Sequence, residues 1–165
     1  MKFISNSNYL AKYLDLSLKK NIDIKNISID TRTLKKGSLF IAIKGDNFNG
    51  NDYIDEALKK GASLVITDNI KFKNSQDKHL IYVANSIAAL KKISKNILKT
   101  YTGNVIGITG SNGKTTTTKI LSNALKKSSS THKNFNNEIG MPLSIMLANI
   151  NSKNLIIEMG AAKPK

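Results

Sequence analysis

Cysteine is absent from the 165 residues, and with it go disulfide frameworks, thiolate metal sites and cysteine nucleophiles. His79 and His132 are the two histidines, too few for a histidine metal cluster, so any metal must be held by oxygen. Carboxylates are scarce: 11 stand against 26 Lys and Arg, leaving a net charge of +15, and Arg32 is the single arginine. Such a charge first suggests a polyanionic partner. Lysine, however, lacks the bidentate fork that reads bases and phosphates, and lysines scattered among many Asn and Ile are also what a lysine-biased proteome would produce. No run approaches the ~18 apolar residues of a membrane span, and residues 1–6 hold no apolar stretch of signal-peptide length. The expectation is a cytoplasmic protein. An apolar content of 40% is enough for a core and argues against disorder.

Short apolar runs alternate with helical patterns. A helix is expected over 7–18, strands over 27–29 and 39–43, a Gly/Asn-rich loop over 45–51 and a helix over 52–60 stopped by Gly61. Residues 63–67 and 80–84 read as buried strands, and 86–101 as an amphipathic helix with Ile87, Leu90, Ile93, Ile97 and Leu98 on one stripe. After a boundary placed near Gly103, a strand over 104–109 runs into a glycine loop and a helix over 114–127, and a last strand covers 154–158. The fold class is α/β. The second unit is expected to hold two strands and two helices, too little for an independent sheet with both faces covered. Residues 128–131, Ser-Ser-Ser-Thr, read as a polar turn.

Gly110-Ser111-Asn112-Gly113-Lys114-Thr115 follows an apolar strand and opens a helix, the setting a phosphate-binding loop requires. The strict Walker pattern wants glycine at 108, where this chain has Ile108, with Gly107 one residue too early. The half that does the chemistry remains: glycines that let amides approach phosphate oxygens, a lysine for the β/γ charge, a hydroxyl for Mg²⁺ and a helix N-terminus. The structural alternative is a glycine-rich turn with an incidental lysine.

From Lys78 to Lys165 there are thirteen lysines and two carboxylates, Glu138 and Glu158. Glu158 ends a buried strand at the carboxyl edge where ligands collect in open parallel sheets. If that strand neighbours the loop strand, Glu158 faces the Mg²⁺ held by Thr115; otherwise it points to solvent. Between them, Asn134, Asn136, Asn137 and Glu138 make a dense set of donors and acceptors suited to a polar substrate. They suit equally an Asx turn capping the next helix, punctuated by Gly140 and Pro142.

Residues 105–116, VIGITGSNGKTT, resemble the ATP-binding strand and loop of the Mur ligase family, shifted glycine included. Segment 134–142, NFNNEIGMP, and strand 156–161, IIEMGA, are similar to those of a member that adds D-alanyl-D-alanine. Residues 28–32, SIDTR, with 37–42, GSLFIA, and Gly45, resemble the family's uridine-nucleotide-binding domain. The resemblance implies a UDP-sugar-binding domain over 1–103, followed over 104–165 by the truncated start of a P-loop α/β ATPase domain. The implied reaction is an ATP-dependent amide ligation in peptidoglycan synthesis. The terminal carboxylate of UDP-N-acetylmuramoyl-tripeptide is activated as an acyl phosphate, then attacked by the amine of D-alanyl-D-alanine.

On that resemblance, Gly110, Ser111, Asn112, Gly113, Lys114, Thr115 and Thr116 bind ATP, with Lys114 and Glu158 catalytic and Thr115 and Glu158 holding Mg²⁺. Asn134, Asn136, Asn137 and Glu138 orient the peptide substrate, while Asp30, Thr31, Arg32 and Gly45 engage the uridine nucleotide. For Arg32 the alternative is a surface ion pair with Asp30 or Asp46. Asn49 and Asn51 stand where the family tends to carry aspartate and histidine, and 161–165 depart from its usual Ala-Asn-His-Pro-Gly. The resemblance further implies a cytoplasmic enzyme, monomeric when complete, with neither a specific nucleic-acid partner nor a membrane span. The chain reads as a fragment with little ligase activity of its own. Rival readings are another amide ligase of the same kind or a folylpolyglutamate synthetase, a basic P-loop protein that binds nucleic acid, and a piece retaining uridine-nucleotide binding alone.

Overall fold

The computed structural model describes residues 3–18, 20–45, 47–131, 135 and 137–160. Residues 4–92 form one compact unit, and residues from 93 onward, with Phe3, form another.

The first unit opens with α1 (Ser7–Leu14), started by Asn6, whose side-chain oxygen accepts from the Asn8 amide at 3.0 Å. It stops at Leu14 rather than at residue 18 because Asp15 turns left-handed, at φ 57°. Four strands follow: β1 (Asn26–Ser28), β2 (Ser38–Ile41), β3 (Leu64–Thr67) and β4 (Leu80–Tyr82), in spatial order β1-β2-β3-β4 and all parallel. Side chains alternate across a strand. Phe40, Ala42 and Val65 pack on one face with Ile54, Ala57 and Ala62, and Leu39, Ile41, Leu64 and Ile66 of the opposite parity are buried as well. Both faces are therefore covered, which is why these strands read as uninterrupted apolar runs.

The helix expected over 52–60 divides into a 3₁₀ turn, Gly50–Tyr53, and α2 (Ile54–Lys59). Gly61, at φ 85°, ends it. Next comes α3 (Ser86–Thr100), in which Leu90, Ile93 and Ile97 of the expected stripe are buried together with Ala89, while Ile87 and Leu98 are half-buried.

The second unit contains β5 (Asn104–Ile108), α4 (Lys114–Ala124), β6 (Ser128–Ser130), α5 (Gly140–Leu147) and β7 (Asn154–Glu158). Its sheet has the order β5-β7-β6, all parallel. It thus has three strands where two were expected. The serine run read as a polar turn is a strand because Ser128, Ser129 and Ser130 pair with Asn154, Leu155 and Ile156. Three serines carry no apolar period, so only the partner strand shows what they are. Helix α4 stops at Ala124, short of residue 127, since Leu125 is extended and Lys127 sits at φ 55°. Strand β7 lies in the middle with Leu155, Ile156 and Ile157 buried, whereas the outer strand β5 leaves Val105 49% exposed. No helix among the described residues is long and apolar enough to cross a membrane.

Candidate functional site

The loop after β5 bends through two glycines in conformations that other residues rarely adopt, Gly110 at φ 149° and Gly113 at φ 78°. Gly113 is the N-cap of α4, so the loop empties into a helix N-terminus, with its free amides and partial positive charge. Lys114 curls back over this turn. Its Nζ donates to the carbonyls of Gly110 at 2.6 Å and Ser111 at 3.2 Å.

Thr115 and Glu158 meet across this loop. Strand β7 pairs directly with β5 and places Glu158 opposite Ile108, at the carboxyl edge from which the loop springs. The Thr115 hydroxyl lies 3.1 and 3.0 Å from the two Glu158 carboxylate oxygens. Glu158 is 3% exposed, so it does not point into solvent. Behind it, the Glu158 amide donates to Thr131 Oγ1 at 2.8 Å, and the Met159 amide donates to the Ile108 carbonyl at 2.8 Å.

A hydroxyl beside a buried carboxylate is an all-oxygen donor pair, the kind Mg²⁺ takes. Among the described residues no cluster of three His, Asp or Glu exists that could cage a cation alone. A divalent ion here would have to complete its shell with water and ligand phosphate oxygens, which is how Mg²⁺ is usually held. The residues present fit that ion.

The asparagine segment is partly in view. Asn134 and Asn136 lie outside the described residues. Asn137 and Glu138 are exposed, and Asn137 Oδ1 accepts from the amides of Ile139 at 3.2 Å and Gly140 at 2.7 Å. This is the capping turn weighed for the segment, and it occupies the carbonyl end of the Asn137 amide. Gly140 is required at its position because a Cβ there would lie 2.5 Å from Phe135 Cα.

A second cluster lies in the first unit at the carboxyl ends of β1 to β3. Arg32 Nε and Nη2 grip both oxygens of Asp30, Nη2 at 2.6 Å, and the Asp30 carboxylate also accepts the Arg32 amide at 2.9 Å. The ion pair with Asp30 weighed for Arg32 is thus present, while the Arg32 side chain remains 86% exposed. Asp46 lies outside the described residues. The hydrogen bond from Arg32 holds the Asp30 carboxyl below its usual range, against an opposing push from burial. Thr31 is buried, and its carbonyl accepts Lys60 Nζ at 3.1 Å. The same Lys60 pairs with Glu56 at 2.7 Å and, through that hydrogen bond first, lowers the Glu56 carboxyl. The Gly45 amide donates to the Phe48 carbonyl at 2.8 Å, closing a loop on which Phe48 stacks on Tyr53 with ring centroids 4.8 Å apart.

Two hydrogen-bonding partners, one in each unit, carry no sequence signal. Asn51 turns inward and is nearly buried, its Nδ2 donating to Asp68 at 2.8 Å while its Oδ1 accepts the buried Thr67 hydroxyl at 2.7 Å. Thr131 is the other, since nothing in a run of four hydroxyl residues marks the last as a partner of Glu158.

A family model described as "Mur ligase family, catalytic domain" matches residues 23–143. The UDP-N-acetylmuramoyl-tripeptide--D-alanyl-D-alanine ligase of Bacillus subtilis is 35% identical over 140 residues, covering 83% of this chain and 31% of that protein. The UDP-N-acetylmuramoyl-L-alanyl-D-glutamate--2,6-diaminopimelate ligase of Rickettsia prowazekii is 40% identical over 113 residues, covering 68% and 23%. Among solved structures, a MurF ligase from Thermotoga maritima in complex with ADP superposes with a TM-score of 0.71 at 37% identity, covering 84% of this chain and 33% of that one. The chain thus spans about a third of the length of the Bacillus subtilis ligase and of the Thermotoga maritima protein.

Proposed function

The chain belongs to the Mur ligase family, and we propose that it is part of an ATP-dependent ligase that joins D-alanyl-D-alanine to UDP-N-acetylmuramoyl-tripeptide in peptidoglycan synthesis. Residues 1–103 serve as the UDP-sugar-binding domain and 104–165 as the beginning of the ATP-binding domain. The observation that carries the reading is the contact of Thr115 with Glu158 beside the Gly110–Lys114 turn.

Phosphoryl transfer asks for positioning and charge neutralisation more than covalent help. The amides of Ser111 to Lys114 cradle the polyphosphate, and Lys114 exchanges the carbonyls of Gly110 and Ser111 for phosphate oxygens. Thr115 and Glu158 would hold Mg²⁺, which would supply positive charge against that of the polyphosphate. Asn134, Asn136, Asn137 and Glu138 orient the tripeptide, whose terminal carboxylate takes the phosphoryl group; the dipeptide amine then attacks that acyl carbon and phosphate leaves. Asp30 holds the Arg32 guanidinium in a fixed plane, and its outward donors, with Thr31 and Gly45, meet the uridine diphosphate.

The reaction takes place in the cytoplasm, and the complete protein acts as a monomer. By itself the chain has little or no ligase activity and weak affinity for ATP. ADP release from the 165-residue chain that depends on both UDP-muramoyl tripeptide and D-alanyl-D-alanine would contradict this. The diaminopimelate-adding reaction is a second reading, favoured by the 40% identity to the Rickettsia protein. The 134–142 segment and the longer match to the D-alanyl-D-alanine ligase favour the first. A trial of both acceptors with a protein containing this chain and the remaining length of its relatives decides between them: incorporation of diaminopimelate alone would select the second.

A further inference from the structure

Pairing of Ser130 with Ile156 fixes the next two bonds of the β6–β7 ladder. The Thr131 amide should donate to the Ile156 carbonyl, and it does, at 3.0 Å. The Glu158 amide should then donate to the Thr131 carbonyl. It donates instead to the Thr131 side-chain oxygen, at 2.8 Å, while that hydroxyl directs its own proton to the Ile156 carbonyl at 3.3 Å. One hydroxyl thus receives from residue 158 and gives to residue 156, spanning the peptide groups on either side of Ile157. On the opposite edge of β7 the Met159 amide is fixed to the Ile108 carbonyl. The backbone that carries the Glu158 carboxylate is held between these two bonds, one from each neighbouring strand.

We propose that Thr131 is a positioning residue for Glu158, its hydroxyl replacing its own carbonyl in the ladder and fixing the backbone from which the carboxylate reaches Thr115. The inference rests on the reading of Glu158 as a metal-holding residue of the nucleotide site. Valine has the shape of threonine without donor or acceptor, and serine retains both, so the two substitutions separate the hydroxyl from the methyl group.

The test uses the 165-residue chain in its parent, Thr131→Val and Thr131→Ser forms, followed by backbone-amide NMR. The first readout is hydrogen exchange at Glu158. The second is broadening of the Thr115 and Glu158 signals by Mn²⁺ in the presence of millimolar ADP. Thr131→Val should speed Glu158 exchange about tenfold or more, an opening no longer opposed by that bond, leave Leu155 and Ile156 protected, and abolish the Mn²⁺ broadening. Thr131→Ser should match the parent in both. Unchanged Glu158 exchange in Thr131→Val, or a Thr131→Ser variant as damaged as the valine one, overturns the inference. Faster exchange with Mn²⁺ broadening intact also overturns it, since Thr131 would then serve the ladder alone. Absence of ADP-dependent broadening in the parent chain would overturn the metal reading of Glu158, and with it the positioning role, a result distinct from the others.

Discussion

Thr115, on the first turn of α4, and Glu158, at the end of β7, stand 43 residues apart in sequence and are joined by a hydroxyl lying 3.1 and 3.0 Å from the two carboxylate oxygens. Glu158 is nearly buried, and a carboxylate so placed bears a desolvation cost that a cation would offset. Glu158→Gln keeps an oxygen for Thr115 and removes the charge. The variant is expected to melt at or above the parent temperature and to lose the Mg²⁺-dependent part of ADP binding, measured by thermal denaturation and by titration with and without the metal.

Gly50 and Gly113 should respond differently to alanine. A Cβ at Gly50 would lie 2.7 Å from the Ile43 nitrogen and 2.9 Å from its carbonyl oxygen, both backbone atoms that cannot swing aside. Gly50→Ala should cost about 1–3 kcal/mol as overpacking. At Gly113 there is nothing within 4 Å, and only the φ of 78° opposes a side chain, a cost of about 1 kcal/mol. Urea unfolding of the two variants should rank them in that order.

The buried network at the carboxyl end of β3 depends on Asn51. Removing its amide leaves the Thr67 hydroxyl without its acceptor and Asp68 without one donor. Asn51→Ala should destabilise the chain by about 1–3 kcal/mol, the price of stranding buried polar groups. Thr67→Val, which withdraws only the hydroxyl, should cost less in the same urea titration.

Asp30 is lowered chiefly by the hydrogen bond from Arg32. A carboxyl depressed in the folded state contributes stability above its unfolded value, and that contribution disappears as pH falls through the lower folded value. Because the Arg32 side chain is largely exposed, solvent screens the pair. Arg32→Ala should hardly change the melting temperature at neutral pH, but the Asp30 carboxyl, followed by NMR, should titrate nearer its ordinary value. The same variant should bind UDP-sugar more weakly; unchanged affinity would remove Arg32 from the uridine site.

Strand β5 is an outer strand with Val105 half exposed, and Ile120 on α4 is exposed as well. An open, apolar strand edge templates pairing with other chains. Light scattering of the 165-residue chain should show concentration-dependent association, and Val105→Lys should reduce it.

The glycine turn between β5 and α4 could be read from sequence because its signals are local: a strand, two glycines and a helix start occur in order, and Gly110 and Gly113 take the positive φ that such a turn needs. The strands of the first unit were legible for a similar reason, since burial of both faces leaves apolar runs such as 39–43. Strand β6 was not, because three serines become a strand only through β7. The contact of Thr115 with Glu158 was legible only on condition that β7 lies beside β5, a matter of strand order that no periodicity encodes. Asn51 and Thr131 were invisible as partners, since their roles depend on hydrogen bonds reaching 16 or more residues away.

The most direct measurement is a titration of the isotope-labelled chain with ADP and Mg²⁺, following each backbone amide. The signals of Gly110 to Thr116 should shift together with that of Glu158, and the shifts should vanish in Lys114→Ala. Shifts confined to residues elsewhere, with the 110–116 turn and Glu158 unmoved at saturating nucleotide, would contradict nucleotide binding at this turn.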